Sequence, residues 1–493
     1  MSNNPTTLTR QLGLVGLAAT GICSMIGASI YVVPFMIQRN VPGIGPFVLT
    51  AFLFAAIPAV FAALAYTILA SAMPRAGGSY LYASRAIHPY FGFAASFSQW
   101  FGLSIVIGVI AYVVVSFFRD VAQALQWTGV AEVLEIGSVR VFLSLALLWA
   151  FVWINILGVS YYEKTLIPLM LLMFGLGAIV IVCGLVYDQG DFLQALQEKE
   201  NRSLELYSGT WNWKTFLSAA ALLFSSFIGF DAIAQAGGEA KYPEKNLPRA
   251  IGLAIFGVGI FYFAFTYAVY HTVPWQFVAE ESLKKDLTAA GLLSYVLPSS
   301  LGVLILLGAA IALLNDLPAM ILSVSRLVFS WAEDGIFPSM LAAVHPKFHS
   351  PYLAILLSGM VATLGILGSH FAGDFFLGID IMVTSMLVNF LLMCVSLLLF
   401  PQVNPKLYSR IIVFKGRFLQ LLVGWGGVIF LSSFLIIHVS KDLQSELSDW
   451  YFHSTWIWAL VMSLASAFFI FRWKTKISGN PVLKNQFSQL PAE

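Results

Sequence analysis

Two aspartates stand inside stretches that otherwise hold little a hydrocarbon environment would refuse: Asp231 in SSFIGFDAI and Asp316 in ALLNDLPAM. An ionisable carboxyl at membrane depth is costly, so by default it marks a proton relay, a cation partner or a water-lined path. A second signal is glycine. SMIGASIY at 24–31 places Gly27, Ala28 and Ser29 in the middle of an apolar run. Glycine removes side-chain cover and adds backbone freedom, so a helix can open there and leave amides and carbonyls unpaired. Open backbone at that depth is tolerated only where it is buried in protein or lines a cavity. These residues therefore suggest a ligand site made largely of main chain, with SMIGASIY as one half. The alternative is that Gly27 merely lets two helices approach closely.

The elements that position these residues follow from composition. Of 493 residues, 59% are hydrophobic and 10% charged, whereas soluble proteins carry roughly a quarter charged. The chain reads as an all-α integral membrane protein. A net charge of +2 with basic residues scattered over loop ends gives no nucleic-acid surface. Cys23, Cys183 and Cys394 lie in apolar runs and read as buried thiols. The seven histidines form no metal-ligand pattern; His345 and His349 flank Pro346 in a loop. Neither a GxxxxGK[ST] nor a GxSxG sequence occurs, so no cofactor and no enzymatic activity are expected.

Apolar runs that reach the ~20 residues needed to cross a bilayer lie near 12–37, 45–72, 90–118, 140–157, 166–187, 213–236, 248–273, 301–331, 351–369, 376–400, 418–439 and 453–471. That makes twelve spans. If the N-terminus is cytoplasmic, about two thirds of the 26 lysines and arginines fall on the cytoplasmic side, as the positive-inside rule requires. Both termini are thus expected in the cytoplasm, and the short tails point to a bacterial inner membrane. The implied division is a tail at 1–11, spans 1–5 at 12–187, an extracytoplasmic loop at 188–212, spans 6–10 at 213–400, spans 11–12 at 401–472 and a tail at 473–493.

SMIG at 24–27 recurs as SFIG at 226–229, in spans 1 and 6. Five spans of offset make the second copy enter from the opposite face, the geometry of inverted repeats in many secondary transporters. Three cytoplasmic segments carry further text: PRAGGSYLYASRAIHPYFGF (74–93), GGEAKYPEKNLPRAI (237–251) and SRLVFSWAEDGIFPSMLAAVHPKFHSP (325–351). Together with the glycine-containing spans, they resemble the amino acid-polyamine-organocation (APC) superfamily over roughly residues 10–400. The resemblance implies a LeuT-like five-plus-five inverted repeat with two extra C-terminal helices, and a permease or exchanger that moves amino acids.

A broken helix offers unpaired N–H groups and a positive dipole end to a carboxylate, and unpaired C=O groups to an ammonium. In this reading the amides of Gly27, Ala28 and Ser29 hold the carboxylate of an amino acid. Carbonyls of Cys23, Ser24 and Ile26, with Ser225, Ser226 and Ile228, take the ammonium; Gly229 and Phe230 complete the second break. Ser29 departs from the glycine usual in the family at that position. Asp231 is open to three roles: proton carrier, dipole partner or helix cap. Asp316 either carries a proton or cation, or serves the kink at Pro318. Ser323 and Ser325 match a cation site in sodium-coupled relatives, or bond their own helix. The lysine some proton-coupled relatives carry in span 5 is absent; its place falls near Met173. Phe227, Gln99 and Trp100 are candidate gates or pocket walls. Ser225 stands where arginine exchangers have tryptophan, which favours a neutral amino acid. The coupling species is a proton or an exchanged amino acid. The alternative function is an amino acid sensor that keeps the transporter fold and signals through a partner.

Overall fold

The computed structural model describes residues 8–27, 29–372, 375–445 and 453–491. Twelve helices in them are long and apolar enough to cross a membrane. Spans 1–6 are Leu14–Asn40, Gly45–Ala72, Pro89–Ala124, Gly137–Ile156, Val159–Val186 and Trp213–Gln235. Spans 7–12 are Pro243–Thr272, Ser299–Glu333, Tyr352–Phe371, Leu377–Val403, Arg417–Gln444 and Ser454–Ile477. Among the described residues the fold is all-α apart from two isolated bridges, Leu12 with Ala240 and Ala76 with Ala236. Spans 1 and 6, the first of each five-span set, are the two interrupted helices, and spans 11 and 12 follow the repeats.

Helix ends differ most from an apolar count where polar residues sit in the terminal turns. Span 5 begins at Val159 and passes through Tyr161, Glu163 and Lys164 before its apolar stretch. A terminal turn emerging from hydrocarbon can expose charge without breaking the helix. Span 3, the longest at 36 residues, packs on spans 8, 9 and 10 and forms the spine of the molecule. The segment between spans 5 and 6 holds a helix, Gln189–Glu200, started by a reciprocal capping box between Asp188 and Asp191.

The loops with the most distinctive text are tied together by buried charge. Arg85, on the short helix Gly78–Ala86, pairs through both guanidinium ends with Asp334, which also accepts the Tyr80 hydroxyl. Arg326 pairs with Glu239 at 2.6 and 3.0 Å, both side chains being at most 1% exposed. Thus the first segment is bonded to the third, and the third to the second. The C-terminal residues close over the first pair: Arg85 also donates to the carbonyls of Gln489 and Gln486, and Phe487 lies 5.3 Å from its guanidinium.

Between spans 7 and 8, Glu281 accepts from Arg202 at 2.6 Å and Lys284 at 2.8 Å. Partial burial pushes its carboxyl pKa up, but Lys284 and Arg202 more than reverse this and hold it below the ordinary glutamate range. A carboxyl with a depressed folded pKa adds stability above its unfolded pKa and loses it as pH falls through the folded value. Thermal melting of the purified protein should therefore show an acid-induced loss beginning below about pH 4, and Glu281→Gln should shrink that acid step. An unchanged step in the variant would assign the acid loss elsewhere.

Candidate functional site

The first break follows Met25. Ile26 leaves helical geometry at φ −90°, ψ 86° while its amide still bonds Ile22, and the helix restarts at Ser29. The Gly27 amide donates back to the Met25 carbonyl at 3.2 Å, so one of the three amides assigned to a carboxylate already closes a turn. Met25 O also accepts the Tyr262 hydroxyl from span 7, which anchors the break. Ala28 lies outside the described residues, and Ser29 is described only as the start of the second half-helix.

The second break is more gradual. Helix Trp213–Leu223 tightens into a 3-10 turn at Phe224–Phe227, Ile228 is extended, and Gly229 takes φ +131°. L side chains rarely adopt that φ, and a Cβ there would also overlap the Ser24 carbonyl and the Met25 amide. The two glycine-containing stretches are thus in direct contact, Gly229 against Ser24. Ser226 beside it is buried, with a hydroxyl that has no partner among the described residues; the Ser225 hydroxyl donates to Leu222 O. Cys23 and Ile26 are fully buried. Phe227 packs on Phe52 and Tyr262, and Phe230 on Tyr66 and Phe390, behind the break.

Both aspartates face these breaks. Asp231 precedes the half-helix Ala232–Gln235 but makes no side-chain cap; its Oδ2 accepts from Gln99 Nε2, and its Oδ1 has no partner among the described residues. Asp316 reaches from span 8 to the first break, where a methyl group on Gly27 would stand 2.6 Å from its Oδ2. Its Oδ1 likewise has no partner there, and the neighbouring Asn315 donates to the Cys23 thiol at 2.9 Å. Buried polar atoms are rarely left unpaired, because the desolvation they suffer is not returned. Among the described residues, an unpaired carboxyl oxygen thus stands at each of the two adjoining breaks.

The remaining candidates have these surroundings. Gln99 is fully buried and its Oε1 accepts from Ser79 at 2.5 Å, Gln235 at 3.2 Å and Asn389 at 3.3 Å. Trp100 donates to Ser358 and packs among Phe97 and Trp331, within an aromatic cluster between spans 3 and 8. Ser325 donates to Leu322 O and accepts from Arg326, so a cation there would face a guanidinium. Ser323 is buried with a free hydroxyl among the described residues. Met173 is buried and Lys164 exposed at the helix end.

Several functional candidates escaped a reading of the sequence. Asn389 Nδ2 bonds the Tyr66 hydroxyl at 2.7 Å, which extends the Asp231–Gln99 network from span 6 through span 3 to spans 10 and 2. The available signals were Gln235, one helical turn after Asp231, and a single asparagine inside the apolar SMLVNFLLM. The ion pairs Arg85–Asp334 and Arg326–Glu239 were hidden because each partner lies in a different loop segment.

Comparison with known proteins agrees with this architecture. The family model described as Amino acid permease matches residues 12–472. The chain is 30% identical over 362 residues to Uncharacterized transporter Rv1999c of Mycobacterium tuberculosis, covering 72% of this chain and 73% of the relative. Branched-chain amino acid permease BcaP of Bacillus subtilis is 25% identical over 375 residues, 73% and 74% of the two chains. Low-affinity putrescine importer PlaP of Escherichia coli is 26% identical over 419 residues, 83% of each. With its twelve apolar helices and its interrupted first and sixth spans, the chain is a multi-pass integral membrane protein of the amino acid permease family, within the APC superfamily, whose members are transporters rather than enzymes.

Proposed function

We propose that the protein moves an amino acid or related amine across the membrane by alternating access, with the solute held between the breaks of spans 1 and 6. The observation that carries this reading is the contact of Gly229 with Ser24, flanked by unpartnered buried acceptors on Asp231 and Asp316. In the same reading the ammonium is taken by carbonyls of Cys23, Ser24, Ile26, Ser225, Ser226 and Ile228. A carboxylate, where the solute has one, lies toward the amides of residues 27–29. Gly229 supplies the contact between the breaks, and Phe227 and Phe230 form the wall behind them.

Residues 12–187 and 213–400 act as the two inverted repeats, with 401–472 adding two spans and 188–212 outside the cell. Both tails, 1–11 and 473–493, lie in the cytoplasm; the lysine and arginine distribution supports this side assignment. The bacterial relatives named above support a bacterial inner membrane. The buried pairs Arg85–Asp334 and Arg326–Glu239 then close the cytoplasmic side, and inward opening requires at least one to part.

Uptake into liposomes by the purified full-length chain, assayed against a panel of amino acids and amines, tests the reading. Saturable uptake of one class is the expected result; competition by none of them, with folded protein, would overturn it. The coupling species is a proton or an exchanged solute, and Asp231 is the proton's candidate carrier. Asp231→Asn should then flatten the pH dependence of uptake while exchange persists. Identical pH profiles for the two proteins would remove Asp231 from coupling.

A further inference from the structure

We infer that the lateral groove between the end of span 4 and the start of span 9 binds an anionic phospholipid, at a site separate from the breaks of spans 1 and 6. The groove has a volume of about 300 Å³, and no carboxylate lines it. Trp149, Trp153 and Ile156 of span 4 face Tyr352 of span 9 across it, and His345 and Phe348 line it from the loop between spans 8 and 9. That loop is fastened in place. The Ser350 hydroxyl donates to Ile156 O at 2.6 Å, and the Ser350 carbonyl accepts the His345 amide at 2.8 Å. His345 is held in turn: its Nδ1 accepts from the amides of Lys347 and Phe348, each at 3.2 Å, and its ring stacks on Phe348 with centroids 4.6 Å apart.

The polar side-chain atoms presented to the groove are donors. Because His345 Nδ1 accepts two amides, the ring proton sits on Nε2, and that N–H has no partner among the described residues. The indole N–H groups of Trp149 and Trp153 and the Tyr352 hydroxyl are likewise without one there. Lys347, exposed on the same loop, carries its ammonium 5.4 Å from the Phe348 ring centroid, at the rim. No aspartate or glutamate occurs from 335 to 373 to offset it. A ligand that fits brings acceptors and negative charge at one end and apolar length at the other. Tryptophan and tyrosine, with apolar bodies and polar tips, suit the boundary between hydrocarbon and headgroups. Residues 149–156 rise only ~10 Å along span 4, about a third of the ~30 Å hydrocarbon core. The groove thus takes the upper part of one lipid, with the phosphodiester against the donors and the start of an acyl chain between the rings. A partner helix would need a seam through the whole core. The groove opens on the face proposed above to be cytoplasmic, where anionic lipids attract lysine near the surface.

Native mass spectrometry of the full-length protein, offered phosphatidylglycerol and phosphatidylcholine with the same acyl chains in equal amounts, tests this. The wild type should retain phosphatidylglycerol over phosphatidylcholine by about fivefold, the effect of one lysine near an anionic surface. Phosphatidylglycerol should also raise its melting temperature, as a ligand of the folded state does. Lys347→Gln should bring the ratio close to one, and Trp153→Ala should lower retention of both lipids. Lys406→Gln, at an exposed lysine between spans 10 and 11, should keep the wild-type ratio. Equal retention of the two lipids by the wild type overturns the proposal. A preference lowered alike by Lys347→Gln and Lys406→Gln overturns it too, because that is a general charge effect. The same melting shift from glycerophosphate would give the donors to a free phosphate, and a co-purifying polypeptide that phosphatidylglycerol does not displace would give the groove to a protein; either result also overturns it. The wild-type comparison needs no variant, so misfolding of Trp153→Ala leaves the test standing.

Discussion

Gly27→Leu is expected to abolish solute binding while the protein still inserts and runs as a monodisperse species. The position has no space for a side chain, since even a methyl group would stand 2.6 Å from Asp316 Oδ2, closer than ordinary van der Waals contact. A leucine must push Asp316 away or drive the first break off the second, and either outcome dismantles the arrangement in which Gly229 meets Ser24. The damage is local because the anchor at Met25, held by Tyr262, and the helices on either side do not depend on Gly27. Calorimetry on detergent-purified protein and uptake in liposomes are the measurements. Wild-type affinity in the variant would take the binding site away from span 1.

The second large effect concerns stability. Glu239→Ala should cost about 3–5 kcal/mol, because it leaves the Arg326 guanidinium buried without a counter-charge. Both partners are at most 1% exposed, so water cannot take the place of the lost carboxylate. Removing both charges, as in Glu239→Ala with Arg326→Met, should recover most of the loss, since a buried ion pair adds little net stability over a well-packed apolar replacement. Thermal melting of the three proteins distinguishes these cases. Equal destabilisation by the single and double variants would mean that the pair is not the source. A partial recovery with altered transport would suit a pair that also has to part during the cycle.

How much was legible in the sequence depended on the range of the interaction. The twelve spans were legible because hydrocarbon thickness demands about 20 apolar residues, a local and uninterrupted requirement. Their ends were not: Tyr161, Glu163 and Lys164 look like a loop in an apolar count, yet form the first turns of span 5. The two breaks were legible through SMIG and SFIG, since glycine alters local backbone freedom. What the flanking polar residues do was not. Gln99 looks like a pocket side chain in SFSQWFG, but its partners are Ser79, Asp231, Gln235 and Asn389, contributed by three other elements. The contacts of the adjacent Trp100, with Ser358 and Trp331, likewise come from other spans.

The sequence alone determined the class of protein, the number of spans, the family to which the three loop segments point, and the places where helices 1 and 6 open. Each of these follows from composition, from local backbone preference or from contiguous text. Only the tertiary structure decided that the two breaks touch, that Asp316 stands against Gly27 while Asp231 is held by Gln99, and that the loop segments are joined by Arg85–Asp334 and Arg326–Glu239. Charge and hydrogen bonding act across a few ångströms of space, and residues so joined can lie 404 positions apart in the chain, as Arg85 and Gln489 do. Spacing along a sequence carries no record of which helix faces which at such distances, so the partner of each buried polar group had to come from the packing.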